Sequence, residues 1–143
     1  MRKFEISDRY TTADIGLAVE GDSLPELFRA AAEGMFAIIL GPVGPRNIYV
    51  TRDIPLRSAT GEQLLIDWLS DLIYLFDTEG LVPYDYRITI AEGGDYAISG
   101  AIDFGRYEAG RDTAEHEIKA VTYYKLQIER TGGRYRCHLV FDI

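Results

Sequence analysis

Cysteine and histidine are scarce in this 143-residue chain, and the scarcity excludes much chemistry. Cys137 is the single cysteine, so no internal disulfide forms, which suits a reducing compartment. His116 and His138 are the two histidines, too few for a His-rich metal site. His138 follows Cys137 directly, and on a strand neighbouring side chains point to opposite faces, which argues against a Cys-His dyad. Basic residues are also in deficit: 15 against 23 acidic ones leave a formal net charge of -8. Such a surface repels phosphate backbones, which disfavours direct nucleic-acid binding, and suits cations or a basic protein partner. Arg130, Arg134 and Arg136 are a local basic group around one turn. No apolar run approaches membrane-spanning length, and Met1-Arg2-Lys3-Phe4-Glu5 lacks the apolar run of a signal peptide. The expectation is a soluble cytoplasmic protein without a membrane role. Phosphate-binding loops, dinucleotide fingerprints, nucleophile elbows and zinc spacings are all missing.

What is present is a globular composition, 47% apolar and 12% aromatic, long enough for one domain over 1–143 with a real core. Residues 3–7 and 14–20 read as two short strands. Ser23-Leu24-Pro25-Glu26 is a capping box, and the steps Leu24, Leu27, Phe28, Ala31, Met35, Ile38 and Ile39 predict a helix over 24–40, stopped by Gly41-Pro42. Ile48 to Leu56 alternates as a half-buried strand, with Pro55 marking an edge. Thr60-Gly61-Glu62-Gln63 caps a second helix to about residue 78, with a buried stripe of Leu65, Trp68, Leu69, Leu72, Ile73 and Phe76. The remainder reads as four strands: around 86–90, 96–104, 117–129 and 134–143. The last two form a hairpin about Thr131-Gly132-Gly133. A three-residue loop there places Asp142 opposite Thr122. The fold class is α+β, a mostly antiparallel sheet packed with two main helices.

Oxygen donors are the chemistry this chain can offer. Asp14 stands at the mouth of a strand, where a carboxylate either caps a turn or binds something. Asp142 and the terminal oxygens of Ile143 form a compact set beside Lys119-Ala120-Val121-Thr122-Tyr123. Asp67 and Asp71 stand one turn apart on the second helix with no Lys or Arg four residues away. They are either a solvated face or a surface for a basic partner or a metal. Glu115-His116-Glu117 reads as a solvated strand start.

Thr12-Ala13-Asp14-Ile15-Gly16, Lys119-Ala120-Val121-Thr122-Tyr123 and Phe141-Asp142-Ile143 together resemble the archease family. Leu64-Leu65 with Trp68-Leu69 and Tyr74 fits it too, as does the Gly-Asp-Ser-Leu-Pro-Glu-Leu-Phe entry to the first helix. The likeness runs through essentially the whole chain. The resemblance implies an accessory factor, not an enzyme, for an RtcB-type RNA ligase of tRNA splicing or repair. It would promote guanylylation of the ligase from GTP, support turnover and broaden the nucleotides accepted. It also implies a divalent-cation site, Ca²⁺ or else Mg²⁺ or Mn²⁺, on Asp14, Asp142 and Ile143, with Lys119 and Thr12 as functional neighbours. Two departures stand out: Thr11 and Tyr124 occupy places where the family commonly carries histidine. Two other readings use the same residues. One is a metal-dependent phosphoesterase or nucleotide hydrolase; the other is a chaperone-like binding module that needs no metal.

Overall fold

The computed structural model describes residues 1–6 and 14–143. The order is β1 (Arg2–Ile6), β2 (Asp14–Gly21), α1 (Leu24–Leu40), β3 (Val50–Asp53), β4 (Leu56–Ser58), α2 (Gly61–Glu79), β5 (Leu81–Gly93), β6 (Asp95–Arg106), β7 (Ala120–Thr122), β8 (Glu129–Thr131) and β9 (Arg134–Asp142). The strands make two antiparallel sheets. One runs β1-β2-β9-β7, with β8 also on β9; in the other, β6 carries β5 along one side and β3 and β4 along the other.

Helix α1 begins where the capping box predicts. The Ser23 hydroxyl accepts from the Glu26 N–H, and Pro25 sits in the first turn. The helix is apolar nearly all round, the signature of a helix with no solvent face. It packs on β1 and β2 from one sheet and on β5 from the other. Helix α2 is capped by the Thr60 hydroxyl and contacts β4 to β7. The buried Trp68 indole N–H donates to the Phe28 carbonyl at 3.2 Å, and the Phe36 and Phe76 rings meet edge-on at 5.7 Å. Both contacts join residues 40 apart, so the two helices run side by side in the same direction. Their C-termini therefore lie at one end of the molecule. Gly34 packs on Leu17, and Gly21 lies against Glu26 and Leu27. Strand β2 thus runs antiparallel to α1, which brings Asp14 to the same end.

Four sequence expectations need correction. The strand over Ile48 to Leu56 is two strands, broken at Ile54-Pro55, because proline cannot donate to the ladder. Both halves do lie on an edge, against β6. Strand β5 starts at Leu81, five residues before the alternation becomes visible, because Leu81, Val82 and Pro83 are all buried. The expected strand over 117–129 is only β7 and β8, and Glu115-His116-Glu117 lies outside any strand. Between β7 and β8 the chain leaves the sheet in a turn closed by the Leu126 N–H on the Tyr123 carbonyl. The hairpin loop is two residues, Gly132 and Gly133, both at positive φ as a type I′ turn requires. Thr131 pairs with Arg134, yet Thr122 pairs with Val140, so Asp142 falls opposite Ala120 and not Thr122. The excursion at 123–128 absorbs the slip.

Candidate functional site

Asp14 opens β2 and Asp142 closes β9, and the two are direct cross-strand partners. Residues opposite each other in a sheet share a face, with Cβ atoms about 5 Å apart. Alternation assigns that face. Ile15, Leu17 and Val19 on β2, with Cys137, Leu139 and Phe141 on β9, join the core. Asp14 and Asp142 therefore point away from it, and both are half-buried. Asp142 also pairs with Ala120 on its other side. Lys119 enters through its backbone, whose N–H donates to the Asp142 carbonyl at 2.8 Å; its side chain is exposed. Ile143 is half-buried and packs against the core. Thr11 and Thr12 lie outside the described residues.

Like charges directly opposite in a sheet repel. A cation between them converts that repulsion into attraction, and hard cations take carboxylate oxygens at about 2.3 to 2.6 Å. The donor set fits a hard cation that accepts carboxylates, backbone oxygens and water in loose geometry. Among the described residues no three His, Cys, Asp or Glu side chains converge as ligands for a metal ion, so beyond these two carboxylates any further donors would be backbone oxygens or water.

The other sequence candidates sit elsewhere. Asp67 anchors β4 to α2, accepting from the Ser58 hydroxyl at 3.0 Å and the Gln63 amide at 2.8 Å. Asp71 lies one turn on, its carboxyl pushed above the usual range by burial and then by the Asp67 charge. Tyr123 reaches the same face, donating to Gln63 at 2.6 Å, while Tyr124 is exposed beneath the Lys125 ammonium. The arginine group is internally engaged: Arg134 and Arg136 pair with Glu20, and Arg130 stacks on Tyr135.

Sequence reasoning missed a cleft of about 260 Å³ at this same end. Ile39 from α1, Ile73 and Phe76 from α2, and Ile118 form its apolar walls. Asp77, Glu115 and Glu117 line it as well. Segment 115–119 links it to the paired aspartates. Glu115 and His116 both donate backbone N–H groups to the Ile39 carbonyl, and Lys119 bonds Asp142. Only the Glu115-His116-Glu117 string hinted at it, and placing that string required the parallel packing of the helices.

These features define a class: a small α+β domain with two parallel helices packed on two antiparallel sheets, its acidic end formed where β2 begins and β9 finishes. The profile of the Archease protein family matches residues 4–143, and the chain belongs to that family. It is 35% identical over 144 residues to a protein archease of Methanosarcina acetivorans, with 99% of this chain and 97% of the relative covered. With the protein archease of Pyrococcus furiosus it shares 37% identity over 147 residues and the full length of both chains. The solution structure of a Methanobacterium thermoautotrophicum protein superposes with a TM-score of 0.81 at 26% identity, covering 98% of each chain. The crystal structure of a Thermotoga maritima protein, described as an archease and possible chaperone, gives 0.61 at 25% identity over 96% of each chain.

Proposed function

We propose that this protein is an accessory factor that activates an RtcB-type RNA ligase, promoting guanylylation of the ligase from GTP and its turnover. The observation that carries the reading is the direct pairing of Asp14 with Asp142 in a chain of this family. In this reading Asp14, Asp142 and the terminal oxygens of Ile143 hold a divalent cation, Ca²⁺ or alternatively Mg²⁺ or Mn²⁺. When bound, such an ion supplies positive charge that stabilises phosphate oxygens. The protein's own residues do the positioning. The β2–β9 ladder fixes the two carboxylates opposite each other, and the Lys119 N–H anchors the β9 end. The exposed Lys119 ammonium stands ready for an anionic group of the ligase or its nucleotide. Thr12 belongs to the proposal through the family likeness alone. A broader nucleotide range for the ligase and a cytoplasmic location belong to the same proposal. No helix among the described residues is long and apolar enough to cross a membrane.

The test is formation of ligase–GMP with the protein at substoichiometric level. Asp14→Ala and Asp142→Ala should each abolish most of the stimulation. Full stimulation by both variants refutes the cation-site mechanism. Turnover of phosphoesters or nucleotides by the protein alone would favour a hydrolase. Undiminished stimulation in a chelator would favour a metal-independent binding module.

A further inference from the structure

The molecule segregates its charge. At the end where β2 runs into α1, carboxylates are matched by cations. Asp22 and Glu26 take the Met1 ammonium, Glu33 takes Arg2, and Glu20 takes Lys3 and Arg136. At the opposite end the matching is partial: Glu79, the last residue of α2, takes Arg52 at 2.7 Å, while three other carboxylates stand apart. Among the described residues, Asp77, Glu115 and Glu117 make no ion pair, and no Lys or Arg lines their cleft.

Two further sources of negative potential converge there. Each helix C-terminus carries about half a negative charge, and side chains that compensate it are normally basic. Neither α1 nor α2 has a basic residue in its last turn. Parallel packing aims both C-termini at the cleft, with Ile39 one residue from the end of α1 and Asp77 two from the end of α2. The crowding is visible in Asp77, whose carboxyl is held above its ordinary range by partial burial and then by the Glu117 charge.

The walls of this cleft are apolar, and the remainder of its lining is Ala114, His116 and the three carboxylates, which make no ion pair among the described residues. We infer that it docks a basic amphipathic segment of a protein partner, with one apolar side chain seated against Ile39, Ile73, Phe76 and Ile118 and flanking Lys or Arg side chains meeting Asp77, Glu115 and Glu117. Electrostatic complementarity of this kind fixes register and raises association rates. Segment 115–119 then joins docking to function, because the strip that lines the cleft ends in the bond to Asp142. The inference rests on the functional reading and deepens it: the partner is the ligase, and the cleft is where it is gripped.

Binding of the full-length protein to the cognate ligase, measured by biolayer interferometry, tests this beside the ligase–GMP assay. Asp77→Lys, Glu117→Lys and their double variant alter exposed side chains and should melt at or above the wild type, because they relieve repulsion at this end. Glu92→Lys, at the exposed end of β5, controls for a surface charge change elsewhere. The double variant should weaken binding about ten-fold or more, and Glu92→Lys less than about two-fold. Wild-type affinity should fall as salt rises from roughly 50 to 500 mM, and the double variant should lose most of that dependence. Wild type that stimulates the ligase while the double variant binds as tightly overturns the inference alone. Equal weakening by Glu92→Lys overturns it too. Wild type that neither binds nor stimulates overturns the functional reading, and the inference with it.

Discussion

Asp112→Ala should cost this fold more than any exposed charge would. Arg46 and Asp112 are joined bidentately, and each side chain is only 6% exposed. Arg46 also donates to the Arg106 carbonyl at 3.1 Å, and Asp112 accepts the Glu108 N–H at 2.8 Å. The arginine stem is tightly seated, since a Cβ on Gly105 would come within 2.8 Å of its Cδ. The pair thus ties the loop after α1 to the loop after β6, which runs on into the lining of the acidic cleft. Removing the carboxylate strands a buried guanidinium and an unpaired N–H. Breaking such a pair costs about 3 to 5 kcal/mol, and the lower end applies to this near-surface site.

With 143 residues and about 2.1 cal/mol/K of unfolding entropy per residue, 3 kcal/mol lowers Tm by about 10 °C. Thermal melts followed by circular dichroism read this directly. Arg46→Met with Asp112→Leu removes both charges together and should recover most of the loss, because an apolar pair needs no desolvation of ions. The effect has a pH signature. The Arg46 guanidinium holds the Asp112 carboxyl below its ordinary range. A depressed folded-state value means the stabilisation is complete above the unfolded value of about 3.9 and is lost as pH falls through the folded one. The gap between wild type and Asp112→Ala is therefore full at neutral pH and closes below about pH 4. A single variant that melts within about 2 °C of wild type at neutral pH refutes the reasoning.

Three further outcomes follow from the same structure. Gly100→Ala should lower stability by about 3 kcal/mol or prevent folding, because Gly100 sits at φ +130 with a Cβ position 2.1 Å from the Arg87 carbonyl; a urea midpoint unchanged from wild type contradicts this. Cys137, its thiol pushed up to about 12 by burial and then by the Glu62 charge, should stay silent to a disulfide reagent at pH 8 and react once urea unfolds the chain; rapid native labelling contradicts this. Calcium at a hundred times its dissociation constant should stabilise the wild type by about 2.7 kcal/mol, or about 9 °C, and Asp142→Ala hardly at all. Equal shifts in both proteins would place the ion elsewhere.

How much of this was legible in the sequence depends on the range of the signal. Both helices were, because capping is local: Ser23 and Thr60 announce the starts within four residues, and Gly41-Pro42 stops the first; the second runs to Glu79, where Gly80 caps it in the left-handed region. The edge character of β3 and β4 was carried by Pro55. Register was not legible, since a two-glycine turn and the excursion at 123–128 shift pairing in ways no periodicity records. The meeting of Asp14 with Asp142 was expected from family likeness alone; spacing says nothing about residues at opposite ends of a chain. The cleft was invisible for a related reason. Its walls come from α1, α2 and residues 114–118, and nothing in any one segment shows that the two helices run parallel.

That parallelism explains why both candidate surfaces share one end. Strand β2 leads into α1 through a tight turn, so its start lies beside the finish of α1. Helix α2 copies the direction of α1, and β9 pairs antiparallel with β2, so it finishes where β2 begins. Two helix C-termini and two aspartates thus collect at one end. Such an end repels itself and costs stability in isolation. Among the described residues Asp77, Glu115 and Glu117 make no ion pair there, while Met1, Arg2, Lys3 and Arg136 match the carboxylates at the other end. Unspent negative potential of that kind is of use only when something positive arrives. A divalent ion at Asp14 and Asp142 and a basic segment in the adjoining cleft would each relieve part of that potential, and because both are positive each would weaken the electrostatic pull on the other.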